Sequence, residues 1–148
     1  MLKIRFARPL LVALATSTAL CSAWAGTLPP VKTQGGVSYL SGGIGKDEAR
    51  AVEAAAPKWP AVLEFVAKEK KEDAFLANVS VRITDPAHHT VLATVSDGPF
   101  VLARLQPGHY RVEATVDGKT LTRALNVAAT GSTREVFVWP HSAEHAAG

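Results

Sequence analysis

Apolar and polar residues alternate with a period of two along most of the second half of the chain. Residues 110–116 show the pattern most clearly, with Tyr, Val, Ala and Val separated by Arg, Glu and Thr. Successive side chains of a strand point to opposite faces, so this alternation predicts a half-buried strand. Asp117-Gly118 follows directly, and a two-residue Asp-Gly link between two alternating runs predicts a β-hairpin.

Similar runs, separated by turn residues, predict further strands. They lie at 62–66, 79–84, 91–95, 100–104, 121–127 and 135–139, with a shorter one at 37–40. Short strands with turns every eight to twelve residues or so are typical of an antiparallel sandwich. The predicted fold is therefore mainly β, a single antiparallel sandwich of about seven strands that occupies residues 37–140.

One short helix is predicted before the long series of strands. It covers residues 47–56, with Asp47 as its N-cap and Pro57 as its end. Residues 26–36 are rich in Pro and Gly and have no apolar period, which predicts a flexible leader. The polar residues 141–148 predict a disordered tail.

The first 25 residues have the layout of a secretory signal peptide. Three cations lie within the first eight residues, residues 10–20 are largely apolar, and Ala23-Trp24-Ala25 provides a small-x-small cleavage site. The apolar run is shorter than the ~20 residues of a transmembrane helix. The sequence thus predicts cleavage near Ala25, a periplasmic or secreted protein, and no transmembrane segment in the mature form.

Removal of this segment changes the charge and the cysteine content. The full chain carries a formal net charge of +3, but three of its 16 Lys and Arg residues lie in the predicted signal peptide. The remainder has equal numbers of basic and acidic residues, which argues against nucleic acid as a partner. The only cysteine, Cys21, also lies there, so the mature chain has neither a disulfide nor a thiolate.

No catalytic motif is recognisable. Gly42 to Asp47 lacks the first Gly and the Ser or Thr of a phosphate-binding loop. No serine lies in a G-x-S-x-G elbow. We therefore expect no enzymatic activity and no cofactor, with a hydrolase that has an unrecognised site as one alternative.

The histidines provide a second alternative. His141 and His145 are four residues apart and Glu144 lies between them, a set of ligands that suits Zn(II), Cu(II) or Ni(II). On this interpretation, the protein is a periplasmic metal-binding protein. The simpler interpretation is that the histidines are solvated residues, His88 and His89 in a turn and His141 and His145 in the tail.

Residues 98–114 contain a phenylalanine strand, a leucine, a Pro-Gly turn and a tyrosine strand. These features, Phe100, Leu105, Pro107, Gly108 and Tyr110, make the chain resemble a carboxypeptidase regulatory-like domain. The resemblance implies a prealbumin-like (transthyretin-like) sandwich with Phe100 and Tyr110 in the core between the sheets. Residues 39–49 are similar to the opening of small secreted bacterial proteins built on that sandwich. Such domains are usually accessory modules without catalysis.

The sequence therefore predicts a non-catalytic binding or accessory module. Its partner would be a protein or a cell-envelope polymer, reached in part through exposed sheet edges. The candidate contact residues, selected because we expect them to be exposed, are Tyr39, Ser41, Lys46, Trp59, His88 and His89.

Overall fold

The computed structural model describes residues 27–140, which form ten strands and one α-helix. In chain order these are β1 (Lys32–Gln34), β2 (Val37–Gly42), α1 (Lys46–Ala55), β3 (Ala61–Ala67), β4 (Ala74–Phe75), β5 (Ser80–Thr84), β6 (Thr90–Val95), β7 (Phe100–Ala103), β8 (Gly108–Val116), β9 (Lys119–Val127) and β10 (Thr133–Trp139). A 3₁₀ turn, Ala56–Lys58, follows α1. The predicted signal peptide and the tail at 141–148 lie outside the described residues.

The strands form two sheets that pack face to face. In the first sheet the order is β1-β2-β7-β3-β10, with the short β4 also paired to β3. In the second sheet the order is β6-β5-β8-β9. This arrangement confirms the prediction of a mainly β, sandwich-like fold with one helix. Within residues 27–140, no helix is both long enough and apolar enough to cross a membrane.

The main core lies between the two sheets. Its largest side chains are aromatic residues of the first sheet, where Phe65 lies 5.7 Å from Phe137 and 6.2 Å from Trp139 between ring centroids. Leu92 and Leu125 of the second sheet are fully buried in the same cluster. Burial of large apolar side chains is the dominant favourable contribution to folding of a domain without disulfides.

A smaller apolar cluster lies on the outer face of the first sheet, where α1 covers it. Val52 of α1 belongs to this cluster, as do Leu40 and Leu102 of the sheet. The helix begins at Lys46 after Gly45, which has a φ of 80°, and no side chain caps it. The predicted cap Asp47 is therefore wrong, because Asp47 lies within the first turn.

The predicted hairpin at Asp117-Gly118 is confirmed. Asp117 and Gly118, with φ of 49° and 74°, link β8 to β9, and Val116 pairs with Lys119.

Three expectations are wrong. The sheet is not wholly antiparallel, because β10 runs parallel to β3 from Thr133↔Ala61 to Trp139↔Ala67. The leader at 26–36 contains β1, which a Gly35-Gly36 turn joins to β2. Phe100 lies under α1 on the outer face rather than between the sheets, because residues of β7 alternate between the two clusters.

Candidate functional site

A sandwich of two open sheets has four edge strands, and each of them exposes backbone N–H and C=O groups. In this protein the edges are β1 and β10 in the first sheet and β6 and β9 in the second. An edge strand has N–H and C=O groups with no neighbour to bond, which makes it a template for another chain. The β6, β9 and β10 edges differ in how far the protein's own side chains occupy these groups.

The β6 edge is occupied by a side chain from β1. The Gln34 amide donates to the Ala93 carbonyl oxygen at 2.9 Å and accepts from the Ala93 N–H at 2.7 Å. Lys32 also bonds Asp97, just beyond β6, at 3.1 Å. Gln34 thus uses both outward-facing backbone groups of Ala93 and covers the middle of this edge.

The β9 edge carries cations and is tied to β10. The Arg123 guanidinium donates to the Thr122 carbonyl oxygen at 2.9 Å. The Trp139 indole donates to the Lys119 carbonyl oxygen, and the Thr133 hydroxyl to that of Asn126, each at 3.1 Å. Charged side chains on an edge discourage the addition of another strand.

The β10 edge is open along its centre. At its two ends, the Thr133 N–H donates to Pro60 and the Trp139 carbonyl accepts from Lys68, both at 2.9 Å toward β3. Backbone groups of a parallel strand alternate in direction, so those of 134, 136 and 138 point away from β3. Within the part of the chain that the structure describes, these three residues make no backbone hydrogen bond on that side.

An apolar strip lies on the outer face of the first sheet, beside this open edge. Phe75 pairs with Val66, which pairs with Val138, and Val136 occupies the next row. Phe75 is 61% exposed and Val136 is 42% exposed. We call Phe75, Val66, Val136 and Val138 the Phe75–Val136 strip. It rests on Phe100, whose ring centroid lies 5.9 Å from that of Phe75.

Arg134 closes the helix side of the strip. Its guanidinium bonds Glu64 of β3 at 3.0 Å and Glu53 of α1 at 3.1 Å, and lies 5.8 Å from the ring centroid of Phe100. Partial burial opposes the charge of Arg134, but the bonds to Glu64 and Glu53 outweigh it and raise the pKa of the guanidinium. Arg134 is therefore a fixed boundary of the strip rather than a free cation.

The predicted contact residues do not form one site. Tyr39 and Ser41 are buried, and Trp59 is only 5% exposed, so the expectation that these three lie on the surface is wrong. Lys46, His88 and His89 are exposed.

The three buried residues have structural roles. Tyr39 lies in the core between the sheets, and the Ser41 hydroxyl accepts from the Asp97 N–H at 2.8 Å. Trp59 packs on the outer face beside α1, with the Arg104 guanidinium 4.3 Å from its ring centroid. Their side chains are therefore used within the fold.

The histidines of the described chain lie at one end of the second sheet. His89 lies 3.5 Å from Asp85, and the His109 ring bonds Asn126 at 2.6 Å. The Tyr110 hydroxyl donates to the Gln106 carbonyl at 2.7 Å, and burial, with the nearby Asp85, raises the pKa of Tyr110.

These histidines do not form a metal centre. Across residues 27–140, no three His, Cys, Asp or Glu side chains converge as a metal site would require. The candidate ligands His141, Glu144 and His145 lie outside the described residues, so the metal-binding alternative stays a prediction.

The glycine loop before α1 has a structural role of its own. The Glu48 carboxylate accepts the Gly43 N–H at 2.8 Å. A carboxylate at this helix start occupies the place where a phosphate would bind and repels it. This contact agrees with the sequence argument against a nucleotide loop.

No protein-family model matches the chain, and no curated protein matches it. The surface must therefore be interpreted from its own geometry.

Sequence reasoning missed the residues that define the open edge. Val136 and Val138 lie in a predicted strand, but alternation alone does not reveal that this strand is an edge. Phe75 is a lone aromatic residue two positions after the last residue of a charged run, and this was the one sequence signal that pointed to it. Gln34 carried no local signal, because its partner Ala93 is 59 residues away.

Proposed function

We propose that this chain is a non-catalytic binding module that captures an extended segment of a partner protein along β10. We also propose that it works in the periplasm or outside the cell after removal of residues 1–25. The sandwich would be of the prealbumin-like, carboxypeptidase regulatory-like type. The export proposal is supported by the charged start, the apolar run and the small-x-small site at Ala23–Ala25.

One observation carries the proposal: three consecutive outward pairs of β10 backbone groups are open beside the Phe75–Val136 strip. In strand addition, main-chain hydrogen bonds supply affinity and side-chain pockets supply specificity. The β10 edge supplies the first and the strip supplies the second. The contrast with β6, where Gln34 uses the equivalent groups of Ala93, supports β10 as the binding edge.

The same observation favours a protein over an envelope polymer. Only a polypeptide repeats N–H and C=O groups at the spacing of a strand edge. A glycan platform would use an exposed aromatic ring with polar side chains around it, whereas Phe75 is bordered by valines. The polymer is therefore the weaker of the two partner classes predicted from the sequence.

Site-specific photocrosslinking tests the proposal. A photoreactive amino acid replaces Val136 on the open edge or, as the matched control, Val95 on the covered edge, which is 55% exposed. Both variants are expressed as the full chain in cells that export it. We expect a discrete crosslinked protein from position 136 that is absent from position 95.

Three results would count against this proposal. They are the same products from both positions, products from position 95 alone, or crosslinks from position 136 only to glycan. A Phe75→Ser change provides a second control, because it alters the strip but leaves the backbone edge intact. We expect it to reduce the yield from position 136 and to leave folding unchanged, since Phe75 is largely exposed.

A further inference from the structure

A strand added to β10 would have two chemically different sides. Its side chains alternate, so every second one lies on the outer face beside Val136 and Val138. The others point toward the layer of the second sheet, where β9 lies next to β10. The Trp139–Lys119 and Thr133–Asn126 hydrogen bonds hold β9 in that place.

The side of β9 that faces this layer carries two cations at the edge. Lys119 pairs with Val116 and Arg123 pairs with Val112, so both lie on the same side of the sheet as the buried Val112. Both cations are nevertheless exposed, because β9 is an edge strand. An added strand would place its inward side chains beside them.

These two cations are not neutralised by the residues that the structure describes. Arg134 forms ion pairs with Glu53 and Glu64, but no ion pair involves Lys119 or Arg123 there. The side chains of Arg134 and Val136 point to the outward side of β10, and that of Glu135, between them in the sequence, points inward. Glu135 is the one acidic side chain on the inward side of this strand. The inward side of the open edge is thus net positive, while the outward side is apolar.

We propose that the captured segment is a strand in which apolar residues alternate with acidic ones. The inference rests on the proposed function and specifies its partner. The apolar side chains would pack on the Phe75–Val136 strip, and the acidic ones would pair with Lys119 and Arg123. A second copy of β10 fits less well, because it offers one acid, Glu135, and two aromatics buried in its own core.

Binding of synthetic peptides to the purified protein tests the inference. The probes have the seven-residue length of β10. One alternates Val with Glu, one alternates Val with Lys, and one has the Val/Glu composition in blocks rather than in alternation. We expect the alternating Val/Glu peptide to bind about tenfold more tightly than either other peptide, since two charge contacts and the register both differ.

Two proline variants show where the peptide binds. Val136→Pro removes an N–H that faces the open edge and should abolish binding while the fold is retained, since proline is tolerated at outward edge positions. Val95→Pro makes the equivalent change on β6 and should bind normally. Arg123→Glu should reverse the preference between the Val/Glu and Val/Lys peptides.

The outcomes separate the inference from the function on which it rests. Equal binding of the two alternating peptides, lost in Val136→Pro, would overturn the acidic preference and leave strand capture at β10 intact. Binding that survives Val136→Pro would overturn both. A protein that sedimentation shows to be a dimer, that binds none of the peptides and that becomes a monomer in Val136→Pro would mean that a second copy is the occupant.

Discussion

The β6 and β10 edges both carry an exposed valine, but they differ in the hydrogen bonding of their outward backbone groups. Each edge has one exposed valine, which is Val95 on β6 and Val136 on β10. On β6 the Gln34 amide satisfies both outward groups of Ala93, whereas on β10 no described side chain reaches the outward groups. An exposed apolar residue therefore does not identify a binding edge by itself. The state of the backbone beside it does.

The largest expected effect comes from removing the ring of Phe100, which lies beneath the Phe75–Val136 strip. Phe100→Ala should lower the free energy of unfolding by about 3–5 kcal/mol, because a fully buried ring is lost and a cavity remains. Phe75→Ala, on the same strip but exposed, should cost less than about 1 kcal/mol. Chemical denaturation of both variants measures the difference. Similar losses in the two would show that Phe100 does not support the strip.

Breaking the boundary of the strip should have an intermediate effect. Arg134→Ala leaves the half-buried Glu64 without its partner and should cost about 2 kcal/mol in unfolding free energy. Glu53→Gln removes only the more exposed ion pair and should cost about 0.5 kcal/mol. Denaturation at low salt compares them. A larger loss for Glu53→Gln would contradict the assignment of Glu64 as the main partner.

Opening the β6 edge should make the two edges alike. Gln34→Ala should cost about 1 kcal/mol, since two largely exposed hydrogen bonds are lost. The Ala93 N–H should then exchange with solvent as fast as the N–H groups of the open β10 edge. Gln34→Glu is the matched control, because its carboxylate accepts from the Ala93 N–H but has no donor for the Ala93 carbonyl. Unchanged protection of Ala93 in Gln34→Ala would mean that the side chain does not cover this edge.

An effect of similar size to that of Gln34→Ala is expected away from both edges, at Tyr110. Its pKa is raised in the folded protein from 10.0 by burial, with a contribution from Asp85. The unfolded chain therefore ionises first, and stability present below pH 10 should fall as the pH rises above it. Tyr110→Phe should remove this alkaline loss and, through the lost bond to Gln106, cost about 1 kcal/mol at neutral pH. An alkaline loss that persists in Tyr110→Phe would assign it to another group.

The elements that sequence predicts well are those with local signals. Residues 110–116 alternate strictly and Asp117-Gly118 sets the hairpin, so β8 and β9 follow from neighbouring residues alone. The parallel pairing of β10 with β3 is different, because it joins residues about 70 positions apart with no turn to signal it. The order of strands, and thus the identity of the edges, depends on such distant pairings.

The candidate site was harder to predict for the same reason. Tyr39 and Trp59 are large aromatics near segment ends, and sequence does not show that one faces the core and the other lies beside α1. The β10 edge is open because the outward backbone groups of Val136 have no hydrogen-bond partner among the described residues. The β6 edge differs because those of Ala93 are bonded to Gln34. Both depend on tertiary structure, so residue type could not reveal them.

Amide hydrogen exchange of the purified protein, followed by NMR, tests the central contrast most directly. We predict slow exchange for Ala93, whose N–H is bonded to Gln34, and fast exchange for Val136 and Val138, whose N–H groups face the open edge. Addition of the alternating Val/Glu peptide should slow Val136 and Val138 and leave Ala93 unchanged. Equal protection of Ala93 and Val136 in the free protein would show that β10 is no more open than β6.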